Sequence, residues 1–140
     1  MTQQQGRLLL IAREDDSVPG QYNNMCGLRS RNFNLSSEEV DTTIPDCVDP
    51  SLAVQKTSIA GIADRTFSGS GKFVKNANSQ AVADDARLQR AHNYKVTVPG
   101  YGSFTGLFQV TDFQFDGDMT GTLEFSATWK PTATLSFVAE

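Results

Sequence analysis

Strict alternation of apolar and polar residues is the clearest pattern in this chain, and it predicts strands. In "MTGTLEFSATWK", Leu123, Phe125, Ala127 and Trp129 share one face, while Thr122, Glu124, Ser126 and Thr128 share the other. Just upstream, Phe104, Phe108 and Val110 fall at even positions and Phe113 and Phe115 at odd ones. A slip of one residue turns every following side chain to the opposite face, so a bulge or a break is expected near Thr111 and Asp112. "FDGDM" then supplies a turn with Asp116 and Gly117 at its tip, "KPTA" a second corner, and "TLSFV" a closing strand.

The first half is less regular. Leu8 to Ala12 reads as a strand buried on both sides, followed by two extended segments, Cys26 to Leu35 and Glu38 to Thr43, with a turn at Ser36-Ser37 between them. From Asp41 to Gly61 runs a long connection with little strand signal, and connections of that length in a compact domain usually have a task. One helix is expected, capped by Asn78 or Ser79. Asp84 and Asp85 precede Arg87 and Arg90 in it, and Ala77, Ala81, Leu88 and Ala91 form its inner face. The inventory is about eight strands and one flanking α-helix, a mainly β fold of sandwich or barrel type with a long inter-strand loop.

Length fits one domain, 1–140: the chain has 140 residues, 39% hydrophobic and 20% charged. The apolar run near the N-terminus lacks the basic flank and cleavage site of a signal peptide, and nothing approaches the ~18–20 apolar residues of a spanning helix, so a soluble protein without a membrane partner is expected. The net charge of −4 disfavours tight binding to nucleic acid, which depends on cations that displace counterions from phosphates.

Candidate chemistry is thin. "TFSGSGKF" resembles the end of a phosphate-binding loop, yet Thr66 stands where the first glycine belongs and Phe73 where the hydroxyl belongs. It reads better as a strand with Phe67, Gly69, Gly71 and Phe73 on one face, the glycines marking a close approach by another segment. "DFQFDGD" starts like a calcium loop, but Leu123 replaces its final glutamate. The one histidine, His92, sits at the end of the expected helix, and Asp84 and Asp85, adjacent on a helix, cannot act as a pair. No catalytic residue, metal site or cofactor is expected. Cys26 and Cys47 fall short of a metal set. A hairpin turning at Ser36-Ser37 would bring them opposite each other as a disulfide, which Pro45 and a reducing compartment oppose.

Taken in order, "GRLLLIARED", "CGLRSRNFNLSSEEVDTT", "RTFSGSGKF" leading to "NSQAVADDARLQ", and "GSFTGLFQVTDFQFDGDMTGTLEFSATW" resemble the major tail proteins, or tail tube proteins, of long-tailed bacteriophages and phage-like gene transfer agents. The resemblance covers most of the chain, with departures at "KPTA" and in the loop after Asp41. It implies a structural virion protein that self-assembles into hexameric rings, stacked into a conduit for genome delivery, with the sheets of neighbours joined into one inner barrel. Joining would pair sheet edges that are otherwise prone to aggregate.

The resemblance further implies a place in the virion tail, assembly in the host bacterial cytoplasm, and contacts with the tape measure, distal tail and tail terminator proteins. DNA would pass without sticking. On that reading the loop 41–61 stacks the rings, through Asp41, Ile44, Asp46, Val48, Asp49, Leu52 and Val54. Glu38, Glu39, Asp41 and Glu124 are candidates for charge facing the lumen, with Arg29 and Arg31 as rivals for that place. Two other readings remain: the inner tube of a contractile injection or secretion system, and a monomeric β-sandwich binding module. Against the last, the sole tryptophan lies on a core face, not on a loop.

Overall fold

The computed structural model describes residues 3–139; residues 1, 2 and 140, the ends of the expected single domain, lie outside the described residues. In chain order the strands are β1 (Leu10–Glu14), β2 (Tyr22–Asn24), β3 (Leu28–Asp41), β4 (Ser58–Lys72), β5 (His92–Val98), β6 (Gly102–Asp116), β7 (Glu124–Pro131) and β8 (Ser136–Ala139). Among the described residues one α-helix, α1 (Ala77–Arg87), lies between β4 and β5, and a single 3-10 turn, Gly6–Leu8, precedes β1. The fold is mainly β with one helix, as the alternation predicts.

All eight strands belong to one sheet in the order β2-β1-β5-β6-β7-β4-β3, with β8 pairing β6. The two ends of that order, β2 and β3, are consecutive in the chain and are joined through Met25–Gly27. There the Met25 amide donates to the Ile11 carbonyl (2.9 Å) and the Lys72 amide to the Gly27 carbonyl (2.9 Å). The slip in β6 is real: its register against β7 shifts between Val110 and Asp112. The β6–β7 turn is wider than a tight hairpin. Asp116 pairs with Glu124, and the turn tip lies at Asp118–Gly121, not at Asp116-Gly117.

The chain divides into two compact units, one made of the residues up to Phe33 and from Thr66 on, the other of Asn34–Arg65. The first, the body, holds the core. Phe125, Ala127 and Trp129 of β7 are buried, and Phe67 stacks on Trp129 at 4.7 Å and meets Phe108 edge-on at 4.7 Å. Rings of this size bury the most apolar area per residue, so this cluster dominates the body's stability. In β1 three successive residues, Ile11, Ala12 and Arg13, are buried, which fits a strand covered on both sides.

Gly71 shows why β4 carries glycines. A Cβ there would run into the Gly27 carbonyl oxygen and approach the Arg29 amide to 2.8 Å, so the start of β3 can lie this close to β4 only if position 71 has no side chain.

Two further expectations fail. No turn exists at Ser36-Ser37, because β3 runs as a single strand through both residues. The helix is capped by Asn76, whose side chain accepts from the Ser79 amide (2.8 Å), and its buried residues are Ser79, Val82 and Asp85, while Leu88 is half exposed. Apolarity points to the alanine face, whereas the inner face is fixed by the Asp85 carboxylate with its buried partners.

Candidate assembly surfaces

The second unit consists of the C-terminal part of β3, the N-terminal part of β4 and the loop between them. None of its residues is buried. β3 extends through Asp41 and β4 begins at Ser58, so the irregular connection is shorter than the expected 41–61. Its apolar side chains stand in the open: Val48 is 94% exposed, Ile44 74%, and Leu52 and Val54 about half. Val40, Ile59 and Ile62 on the flanking strands are exposed as well.

Polar contacts hold this loop. At its base the Thr42 amide donates to the Thr57 carbonyl (3.0 Å), and the Thr57 amide donates to the Thr43 hydroxyl (2.8 Å). Three aspartates accept from the backbone just after them: Asp41 from the Thr43 amide (2.9 Å), Asp46 from Val48 (2.8 Å) and Asp49 (3.0 Å), and Asp49 from Ser51 (3.2 Å). These are Asx turns, which let a short side chain stand in for a backbone turn. Hydrogen bonds from Thr43 hold the Asp41 carboxyl below the usual carboxylate value, those from Asp49 and Val48 do so for Asp46, and those from Ser51 for Asp49. The aspartates expected to meet neighbours therefore shape the loop, and its aliphatic residues are what it presents.

The expected lumen charges do not form one set. A Cβ on Gly61 would meet Val40 and Glu38, so Glu38 shares a face with Val40. Alternation along β3 puts Glu39 and Asp41 on the other face. Glu39 lies 3.7 Å from Lys56. Glu124 is paired with Lys72 at 2.7 Å across the β7–β4 ladder. Arg31 donates to the Arg7, Leu9 and Leu28 carbonyls at 3.0 Å and is engaged within the body, while Arg29 is exposed. Cys26 and Cys47 are exposed free thiols, and the register argument for bonding them loses its turn.

Sequence reasoning missed a buried ionic cluster that docks α1. Asp85 accepts from Arg13 Nε (2.8 Å) and a second Arg13 nitrogen (3.1 Å), from Arg90 Nε (2.6 Å) and from the Tyr94 hydroxyl (2.6 Å). Burial pushes the Asp85 carboxyl up, but the hydrogen bonds from Arg13, Tyr94 and Arg90 outweigh it and hold it below the usual range. Burial and then the Asp85 charge push the Tyr94 hydroxyl up. The one signal in the sequence is Arg13 closing an otherwise apolar run, with no hint of its partner 72 residues away. Among the described residues no group of three or more His, Cys, Asp or Glu could hold a metal ion, and no helix is long and apolar enough to cross a membrane.

Comparison with known proteins adds to this geometry. The model of a family described as phage tail tube protein matches residues 2–137. No curated protein matches the sequence. Among solved structures, a chain from the virion of a native gene transfer agent particle is similar with a TM-score of 0.83 and 22% identity, over 98% of this chain and 100% of that one. A chain from the tail of an empty gene transfer agent particle, refined with C6 symmetry, gives 0.80 and 25% over 98% and 100%. The SPP1 tail tube gives 0.65 and 11% over 94% and 76%.

Proposed function

Because the chain belongs to the phage tail tube protein family, we propose that six copies close into a ring and that rings stack into the tail tube, the conduit through which a genome reaches the host. The number six comes from the C6 symmetry of the similar gene transfer agent tail. The observation that carries the stacking is the unit 34–65, which buries no residue of its own yet presents Ile44, Val48, Leu52 and Val54. An isolated hairpin without a core is marginal in water, and contiguous exposed apolar side chains mark a surface made to be covered. Neighbouring rings cover it.

The role is structural and involves no catalysis. The protein assembles in the host bacterial cytoplasm, ends in the virion tail, and meets the tape measure, distal tail and tail terminator proteins at the tube's interior and ends. An acidic wall lets DNA pass without multiplying weak phosphate contacts from ring to ring.

Electron microscopy of the purified protein tests the reading: hollow tubes with sixfold rings are expected. A compact monomer at high concentration would contradict it. Deleting Val48–Ser58 leaves soluble subunits or single rings; tubes of normal length from that deletion would remove the loop from stacking. Since Glu38 and Glu39 lie on opposite faces, Glu38→Lys and Glu39→Lys are compared singly. The variant facing the lumen slows genome delivery while tubes still form, and unchanged delivery in both would remove the acidic lining.

A further inference from the structure

The charge of this chain is unevenly placed. Residues 34–65 carry Glu38, Glu39, Asp41, Asp46, Asp49 and Asp64 against only Lys56 and Arg65, a net of −4. That equals the net charge of the whole chain, so the body is balanced. The same unit carries the most exposed aliphatic residues, which by themselves would bring two hairpin units together face to face. Such a contact is self-complementary and would join rings in opposed directions, ending growth after two.

A second exposed apolar surface lies on the body, where β4, β6 and β7 end together. Met119 is 98% exposed, and Phe115, Leu123 and Val74 are about half exposed. Phe115 and Leu123 meet through Phe73, which packs on Phe115 (ring centroids 5.2 Å) and whose amide donates to the Leu123 carbonyl (3.0 Å); Val74 follows Phe73 in the chain, and Met119 lies in the turn between β6 and β7. Lys72 and Glu124 pair beside them, with Arg29 close enough to act on Glu124. Lys72, Lys75 and Arg29 there offset Asp116, Asp118 and Glu124.

We infer that the segregated charge sets the direction of stacking: it repels one hairpin unit from another and leaves the balanced apolar surface at Val74, Phe115, Met119 and Leu123 of a second copy as the seat for Ile44, Val48, Leu52 and Val54. This rests on the loop's role in ring stacking. Electrostatics decides between the two contacts, because the first sets −4 against −4 and the second sets −4 against zero. Repulsion of like surfaces is an effective way to exclude a wrong partner whose apolar contacts are otherwise adequate.

Cys47 lies in the loop and is a native reporter. Tubes of Cys26→Ser and of Cys26→Ser/Met119→Cys are oxidised mildly and run without reductant. The double variant gives a ladder linking Cys47 to position 119, and the single variant stays monomeric. A dominant Cys47–Cys47 dimer at low salt, or normal tubes with no link to position 119, overturns the inference while leaving the tube reading intact; absence of tubes from the native chain overturns the tube reading itself. If Met119→Cys abolishes tubes, the loss at a fully exposed side chain places that surface in a contact and supports the inference. Screening supplies a second measurement. At ~1 M salt, where the Debye length is about 3 Å, or with Glu38→Gln/Glu39→Gln, Cys47–Cys47 dimers rise several-fold over low-salt native subunits. An unchanged yield in both would show that charge does not set the direction.

Discussion

The body and the hairpin unit are built from similar strands, yet they satisfy their side chains in opposite ways. The body closes a sheet around Phe67, Tyr94, Phe108 and Trp129, each at most 1% exposed, and fixes its helix with a buried carboxylate. The hairpin unit buries nothing and is organised by threonine contacts and Asx turns at its surface. Burial is the main stabilising term in folding, while surface hydrogen bonds exchange for water at little net gain. The difference teaches that the body carries a core of its own and the hairpin unit does not, which is the contrast that the proposed stacking explains.

The comparison is broken most severely at Asp85. Asp85→Ala takes away the buried carboxylate that accepts from Arg13 Nε, leaving only the exposed Asp16 at 3.4 Å, and should cost the subunit about 3–5 kcal/mol, read as a drop in the urea midpoint. A loss within experimental error would mean that the helix docks by packing alone. Gly71→Ala follows, at about 1–3 kcal/mol, because the methyl meets backbone atoms of Gly27 and Arg29 that cannot turn away; Gly117→Ala, where a Cβ meets nothing closer than 4.0 Å, serves as its control.

The smallest effect is expected in the hairpin unit. Asp49→Ala removes the acceptor for the Ser51 amide and hydroxyl, leaves the subunit's midpoint unchanged, and alters only local amide shifts. Acidification sharpens the contrast. Asp46 and Asp49 have depressed folded values, so their turns are fully supported above the unfolded carboxylate value of about 3.9 and are lost as pH falls through the lower folded one. Amide shifts of Val48 and Ser51 titrating there without global unfolding are expected. Asp85 is also depressed, but its loss is read as unfolding of the body.

Much of the body was legible in the sequence because its strands have one wet and one dry face. Phe125, Ala127 and Trp129 declare β7 by period alone, the parity change between Val110 and Phe113 declares the bulge, and Gly71 declares a close approach. β3 was not legible as one strand, since from Asn34 to Asp41 both its faces are exposed and no period marks them. The helix was legible in place but not in orientation. A pattern of apolar residues cannot identify Asp85 as an inner residue when its partners Arg13 and Tyr94 arrive from other strands. For the candidate assembly surfaces, length and weak strand signal marked out the loop, and only the structure separated the turn-forming aspartates from the exposed aliphatic residues and split Glu38 from Glu39.

Hydrogen exchange measured on soluble subunits and on assembled tubes tests the central claim most directly. The account predicts that amides of residues 34–65 exchange rapidly in the subunit and become strongly protected in the tube, while the strands of the body are protected in both. Protection of 34–65 in the isolated subunit equal to that of the body, or no gain on assembly, would contradict it.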